Sequence, residues 1–406
     1  MTAGVVVTGL GLVTAAGVGT EPTWRGVCAG AATAATDPAL AGLPVDFSCR
    51  VPEFDVRALL GRRATLQYDR FTQLGLIAAQ EAVADAGLDP ATWDGTRVGV
   101  VVGNGVGGAG TWETQHEQFR DNGPEMVSSL LMPMLIPNMV AGHMGIRFKA
   151  TGPNLVTATA CASGATAIGV ARDMLRQGVC DIVLTGGTEA AVVPLIVTGF
   201  SRMRALSNRT ESPASASRPF DAGRDGFVIG EGSGILVLER EEHARARGAR
   251  VRARLVGYGA SADAYHATAP DPAGTSVERA VRTALADADA APSDVDHVNA
   301  HGTSTPLNDL AEATVLTRCL GAGPAVTSTK GVLGHTLGAA GAIEAALTVL
   351  TIENGLIPPT ANLESQDPEI DLDIVAKEAR RGRVDLALSN SFGFGGQNVV
   401  LAFAAG

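Results

Sequence analysis

Aromatic side chains are scarce, with Phe, Trp and Tyr making up 4% of 406 residues against fifty glycines. Such a chain packs backbone against backbone more than ring against ring. Lysine is scarcer still. Lys149, Lys330 and Lys377 are the only three among thirty-one basic residues, so a lysine inside a motif is not routine surface charge. Positive charge is short overall, with a formal net charge of −11. That balance argues against general binding to nucleic acid or to an anionic membrane, both of which need an attractive positive field. An acidic partner needs a local basic patch.

No apolar run is long enough to span a bilayer, so no membrane association is expected. Met1-Thr2-Ala3-Gly4 places no basic residue ahead of Val5-Val6-Val7, and glycines soon interrupt that run, unlike a secretory signal. The five cysteines, Cys28, Cys49, Cys161, Cys180 and Cys319, are odd in number and scattered. They match neither a disulfide framework nor a CxxC zinc pattern, and a reducing cytoplasm is the expected compartment.

The sequence does contain abundant apolar material, 46% of residues against 18% charged, which implies a large folded core. The length favours two domains or one duplicated unit. Short β-branched runs at Val5–Val7, Val98–Val102, Asp181–Leu184, Ile235–Leu238, Val295–Val298 and Asp385–Leu388 alternate with Ala-rich stretches. That rhythm predicts an α/β protein with a buried, mostly parallel sheet. Apolar spacings of three and four over Leu74–Ala86 and Val277–Ala288 predict helices that cover it.

A weak internal repeat links Ser163-Gly164-Ala165-Thr166-Ala167-Ile168 to Gly338-Ala339-Ala340-Gly341-Ala342-Ile343, both small-residue helices that follow a reactive-looking segment. The charged run Glu239–Arg252 is the candidate join, though a solvated helix end explains it as simply. Two similar halves are therefore expected, residues 1–250 and 251–406.

Several familiar chemistries fit poorly. Gly9-Leu10-Gly11 follows a strand as a dinucleotide fingerprint does, but Thr14 stands where a third glycine or alanine belongs. His297 and His301 have the spacing of a helical metal pair, yet on a strand they would lie roughly 13 Å apart. No GxSxG elbow of a serine hydrolase is present.

Thr157-Ala158-Thr159-Ala160-Cys161-Ala162-Ser163-Gly164 instead places one cysteine between a strand and a small-residue helix. A helix N-terminus favours thiolate over thiol, so Cys161 is a candidate nucleophile, although a small buried cysteine explains its position equally well. The other four cysteines lack this context. Two further segments carry a histidine among Gly, Ser and Thr at a strand end: Asn299–Pro306 around His301, and Thr327–Gly341 with Lys330 and His335. Together they turn a lone thiol into a candidate site.

With TACASG around Cys161, SRPFDAGRDGFVIGEG from Ser217, NAHGTSTP around His301, STKGVLGHTLGAAGA around His335 and SNSFGFGGQN from Ser389, the sequence resembles the β-ketoacyl-acyl-carrier-protein synthases of the thiolase-like superfamily. The resemblance runs nearly end to end and points to the elongating type of fatty acid and polyketide pathways. It implies a duplicated, five-layer αβαβα fold, with the nucleophile in the first half and the histidines and lysine in the second.

By the same resemblance, Cys161 accepts the acyl group, and His301 and His335 support malonyl decarboxylation and stabilise the enolate. Lys330 orders the site, and Glu344 supports it structurally near Lys330. The N–H groups of Cys161 and Phe394 form the oxyanion hole, and Phe394 is also the gate. Neutral imidazoles donate to an enolate if the backbone holds their other nitrogen. Thr303 and Thr305 resemble residues that bind the phosphopantetheine arm of an acyl carrier protein, although loop capping explains them too. No permanently bound cofactor is implied.

Val106, Phe200 and Met203 are placed near the acyl pocket, with Leu131 and Met132 in a stretch resembling the dimer interface that shapes it. Core packing is the alternative. Arg62, Arg63, Arg202 and Arg204 are the candidate carrier-protein patch, and an ordinary solvated surface accounts for any one of them.

Thiolases carry a second cysteine in the C-terminal glycine loop, absent from Ser389–Asn398, and initiating synthases carry asparagine in place of His335. Non-catalytic chain-length-factor subunits lack the nucleophile that Cys161 supplies, and a non-catalytic partner of that kind, shaping another subunit's pocket, is the alternative of another class. With no fused carrier or acyltransferase domain in the sequence, the chain is expected to act in a dissociated system with separate carrier proteins, as a homodimer or paired with a chain-length factor. Gln397 and Ala162 depart mildly from the fatty acid type and incline the reading toward polyketide elongation, with housekeeping fatty acid elongation as the alternative.

Overall fold

The opening apolar run extends well past Val7, forming a ten-residue strand, β1 (Val5–Thr14), buried along its whole length. The computed structural model describes residues 4–406. Four more strands complete the first half: β2 (Val98–Gly103), β3 (Asn154–Thr157), β4 (Ile182–Glu189) and β5 (Gly232–Arg240). The second half supplies β6 (Ala253–Ala262), β7 (His297–Asn299), β8 (Ala325–Thr327), β9 (Leu386–Gly393) and β10 (Gln397–Ala405).

Strand order repeats between the halves, β1-β5-β4-β2-β3 in one and β6-β10-β9-β7-β8 in the other. They join where Val6 and Val7 of β1 run antiparallel to Arg254 and Ala253 of β6. The sheet is mixed, not mostly parallel. In each half the first, last and next-to-last strands pair antiparallel, and only the outer strands pair parallel. The hairpin from β9 into β10 turns at Gly395 and Gly396, with φ of 83° and 74°, and a tight turn of this kind can only join antiparallel neighbours.

Five helices form the layers: α1 (Arg70–Asp85), α2 (Ser163–Arg176), α3 (Thr275–Asp287), α4 (Pro306–Leu320) and α5 (Ala340–Asn354). Helix α1 covers β1, α3 covers β6, and α2 and α5 lie between the two halves of the sheet and touch both. The result is the five-layer thiolase-like arrangement. Helix α5 is buried at every residue from Ala340 to Ile352, which suits its apolar surface on all sides.

Glycine sets these contacts. A Cβ on Gly9 or Gly11 would run into the carbonyls of Ala82 and Ala78 of α1. In the second half, Gly257 and Gly259 of β6 face the carbonyls of Ala284 and Ala280 of α3 in the same way. Gly9-Leu10-Gly11 is thus a packing device, repeated as Gly257-Tyr258-Gly259. Between the layers, a Cβ on Gly164 of α2 would lie 2.9 Å from the Ala342 Cβ of α5, and one on Gly341 2.9 Å from the Ala165 Cβ.

The charged run after β5 is only partly a solvated helix end. Glu239 is fully buried and accepts from Thr8 Oγ1 at 2.5 Å, with Arg247 Nε at 2.9 Å and His243 Nδ1 at 2.7 Å.

Gly164→Val should overpack the central helix pair and destabilise the protein by about 3 kcal/mol. A denaturation midpoint equal to that of the wild-type protein would contradict this close approach.

Candidate active site

Cys161 sits in a one-turn 3-10 helix, Ala160–Ala162, between β3 and α2. Ser163 pins the turn, its hydroxyl donating to Ala160 O at 2.6 Å and accepting from Thr159 N at 2.9 Å. Ala160 is held at φ 49°, a left-handed conformation that costs energy for a residue with a Cβ. The same departure recurs at Ser304 (φ 70°) beside Thr303 and at Leu337 (φ 48°) just past His335. Three of the ten left-handed non-glycine residues among the described residues thus fall in the loops that carry Cys161, Thr303 and His335.

Those loops converge on a cavity of about 430 Å³ lined by Cys161, His301, His335, Thr303, Thr305 and Phe394 among others. Burial pushes the Cys161 thiol up to about 12, while the charge of Lys330 and the Phe394 backbone N–H pull the other way. The expected bias toward thiolate at the helix end is therefore outweighed by desolvation, and the resting group is a thiol. Gly393 closes the turn from the other side, because a Cβ there would meet Thr159 O at 2.6 Å and Cys161 N at 3.1 Å.

His301 follows β7, and its ring lies edge-on to those of His335, at 5.4 Å between centroids, and Phe392, at 5.6 Å. Lys330, 1% exposed, donates to His301 O at 2.6 Å, to His301 Nδ1 at 3.4 Å and to the carboxylate of Glu344. A lysine ammonium only donates, so Nδ1 of His301 is the acceptor and Nε2 carries the proton. Burial, then the charge of Lys330, hold both His301 and His335 well below the ordinary histidine range, so both are neutral. Glu344 is pushed up to about 7 by burial, opposed by Lys330.

The expectation that backbone holds the second nitrogen of each imidazole is met by neither. Lys330 faces Nδ1 of His301, and Nδ1 of His335 has no partner among the described residues. The main chain of His335 is fixed instead, through N to Val228 O at 2.7 Å and O from Gly230 N at 2.9 Å.

Thr303 and Thr305 face each other at 2.9 Å between hydroxyls. Phe394 lies 6.3 Å from Phe200 between ring centroids. Phe200, Met203 and Arg204 line the cavity; Val106, Leu131 and Met132 do not line it in the single chain. Val106 follows β2, and Met132, in the short helix Leu131–Leu135, is 56% exposed. Arg62 and Arg63 lie between the short helices Val56–Leu60 and Ala64–Gln67, and Arg202 ends the helix Pro194–Arg202. All four arginines are exposed, and none forms an ion pair among the described residues.

Sequence reasoning passed over Glu312. It is buried on α4, accepts from the N–H groups of His301 at 2.8 Å and Gly302 at 2.7 Å and from Asn390 Nδ2 at 3.0 Å, and so holds the histidine loop. Asp309, one turn earlier, accepts from Phe220 N at 2.9 Å and Ser304 N at 3.2 Å. The signal was available. Asp309 and Glu312 share the helical stripe of Ala313, Leu316 and Leu320, and acids on an apolar stripe are buried acids in need of donors.

Gly393→Ala should displace the Cys161 amide and slow acylation of Cys161 by about 100-fold, the scale of losing one oxyanion donor. An unchanged acylation rate by intact-protein mass spectrometry would remove Gly393 from the account.

The comparisons with known proteins agree with this geometry. "Beta-ketoacyl synthase, N-terminal domain" matches residues 2–244, and "Beta-ketoacyl synthase, C-terminal domain" matches residues 252–364. A 3-oxoacyl-[acyl-carrier-protein] synthase 2 of Synechocystis sp. is 46% identical over 98% of this chain and 97% of its own. The ishigamide ketosynthase/chain length factor superposes with a TM-score of 0.94 at 34% identity, covering 100% of both chains. A type II polyketide synthase acyl-carrier protein in complex with its ketosynthase bound to the hexaketide gives a TM-score of 0.91 at 33% identity over 100% of both chains. The chain belongs to the beta-ketoacyl synthase family.

Proposed function

We propose that this ketosynthase elongates a Cys161-bound acyl chain with a malonyl unit, within a dissociated polyketide pathway that delivers both substrates on an acyl carrier protein. The observation that carries the assignment of roles is the convergence of Cys161, His301, His335 and Phe394 on one cavity.

In the first half-reaction, sulfur of Cys161 attacks the incoming thioester carbonyl. The N–H groups of Cys161 and Phe394 take up the oxyanion, and the phosphopantetheine thiol leaves with the proton from Cys161. Thr303 and Thr305 hold the arm. In the second, the malonyl carboxylate departs as carbon dioxide, and its bonding electrons form an enolate that accepts hydrogen bonds from His301 and His335. The enolate carbon attacks the acyl carbonyl, and the tetrahedral intermediate expels the Cys161 sulfur as thiolate, which takes a proton from solvent. Neutral imidazoles suit this role, since they donate without being spent as acids. Lys330, held by Glu344, fixes the tautomer of His301.

Phe200 and Met203 form the acyl pocket, with Val106, Leu131 and Met132 completing it against a second subunit. That subunit is a second copy or a chain-length-factor-like partner. The exposed Arg62, Arg63, Arg202 and Arg204 receive the acidic carrier. The halves divide at residues 250 and 251, immediately before β6, and the five free cysteines suit a reducing cytoplasm. The full-length likeness to polyketide ketosynthases, with Gln397 and Ala162, supports the polyketide reading. Housekeeping fatty acid elongation is the second reading, favoured by the higher identity to the 3-oxoacyl-carrier synthase of Synechocystis.

The test is elongation of defined acyl carriers by the protein alone and with a co-encoded synthase-like partner, followed by mass spectrometry. Unreduced, multiply extended chains that require the partner are expected, and Cys161→Ala should form no acyl-enzyme. Extension of saturated chains by the lone protein would overturn the polyketide assignment.

A further inference from the structure

Glu189, the last residue of β4, is completely buried and has no ion-pair partner among the described residues. Its carboxylate instead accepts from four amide groups. Oε2 takes Gly105 N at 2.7 Å and Gly338 N at 3.2 Å, and Oε1 takes Asn104 Nδ2 at 3.2 Å and Val106 N at 3.4 Å. One carboxylate thus ties the loop after β2 to the turn that follows His335.

The Cys161 turn is the third element at this point. A Cβ on Gly105 would lie 2.8 Å from Glu189 Oε2, 3.8 Å from Gly338 N and 3.9 Å from Ala160 O. Beyond it, Asn104 completes the loop by donating to Thr188 O at 2.6 Å and accepting from Gly107 N at 2.6 Å. The loop then reaches the Leu131–Leu135 helix through Gly108 N to Leu135 O at 2.9 Å. Val106 and that helix are the candidate acyl-pocket wall.

We propose that Glu189 is a positioning residue for acyl-chain selection, holding the Asn104–Gly108 loop, and through it the pocket wall, at a fixed distance from Cys161. It touches neither nucleophile nor substrate. The inference rests on the roles given above to Cys161 and Val106. Its burden falls on the loop, because the main chain of His335 is fixed independently by Val228 and Gly230. An amide nitrogen in place of one carboxylate oxygen would face backbone N–H groups donor to donor, and a buried donor without an acceptor disfavours the native loop.

The experiment compares Cys161 acylation by acetyl-, octanoyl- and hexadecanoyl-carrier protein in the wild-type protein, Glu189→Gln, Asn104→Ala and the double variant, with malonyl-carrier decarboxylation measured in parallel. Glu189→Gln should lower kcat/KM for hexadecanoyl relative to acetyl transfer by about tenfold, with decarboxylation kept within about threefold. Asn104→Ala, which loosens the same loop without touching the His335 turn, should shift the ratio in the same direction. The double variant should add little, as expected of two residues acting through one element. Equal losses at every chain length, or additive effects of the two substitutions, would overturn the proposal. If Glu189→Gln fails to fold, an unchanged chain-length ratio in Asn104→Ala overturns it as well. Wild-type protein that acquires no acyl group at Cys161 would overturn the site assignment itself, a separate and recognisable failure.

Discussion

At the centre of the molecule two helices approach until their backbones nearly touch, α2 from the first half and α5 from the second. Gly164 against Ala342 and Gly341 against Ala165 leave no room for a larger side chain at either crossing. Everything chemical depends on that contact. Helix α2 begins at the Cys161 turn, and α5 begins five residues after His335. Bringing their N-terminal ends together is what places a thiol from one half beside imidazoles from the other. The scarcity of bulky side chains, evident in the composition, is the condition for this approach.

Burial then decides the protonation states. It raises the Cys161 thiol to about 12, raises Glu344 to about 7 and holds both histidines neutral. Lys330 is the buried cation that touches this set, bridging Glu344 and the His301 loop. Its charge favours the thiolate of Cys161 while disfavouring imidazolium, so one ammonium serves both half-reactions with opposite consequences for the two groups. The neutral imidazole of His301 accepts from Lys330 at Nδ1 and so carries its proton on Nε2, as a donor. That is the state required where an enolate oxygen develops charge.

Much of this was legible in the sequence, and the gaps have physical reasons. The β-branched runs at Val98–Val102 and Asp181–Leu184 became β2 and β4, and the small-residue repeat became the paired central helices. Strands β6 and β10 were missed, since Ala253–Ala262 spends two of its positions on glycines that admit helix α3 and so looks unlike a strand. The antiparallel pairings of β6, β10 and β9 went with them, while those of β1, β5 and β4 were missed although the strands themselves were found. At the site, the loop contexts of Cys161, His301, Lys330 and His335, and the family resemblance for Thr303, Thr305 and Phe394, named residues that the fold brings together. It misjudged the thiol, because a helix end is visible in sequence whereas desolvation is a property of the assembled fold. Glu189 was overlooked for the related reason that a lone acid in a sequence looks solvated until its backbone donors are known, whereas the apolar stripe around Glu312 did mark it as buried.

The central claim is a division of labour between a sulfur that carries the acyl chain and two imidazoles that prepare its partner. The direct measurement is of both half-reactions in His301→Ala and His335→Ala, with acyl loading of Cys161 and malonyl decarboxylation followed separately. Each substitution should reduce decarboxylation by about 100-fold or more while leaving acyl loading within about tenfold of wild type. Equal loss of both half-reactions would contradict the division.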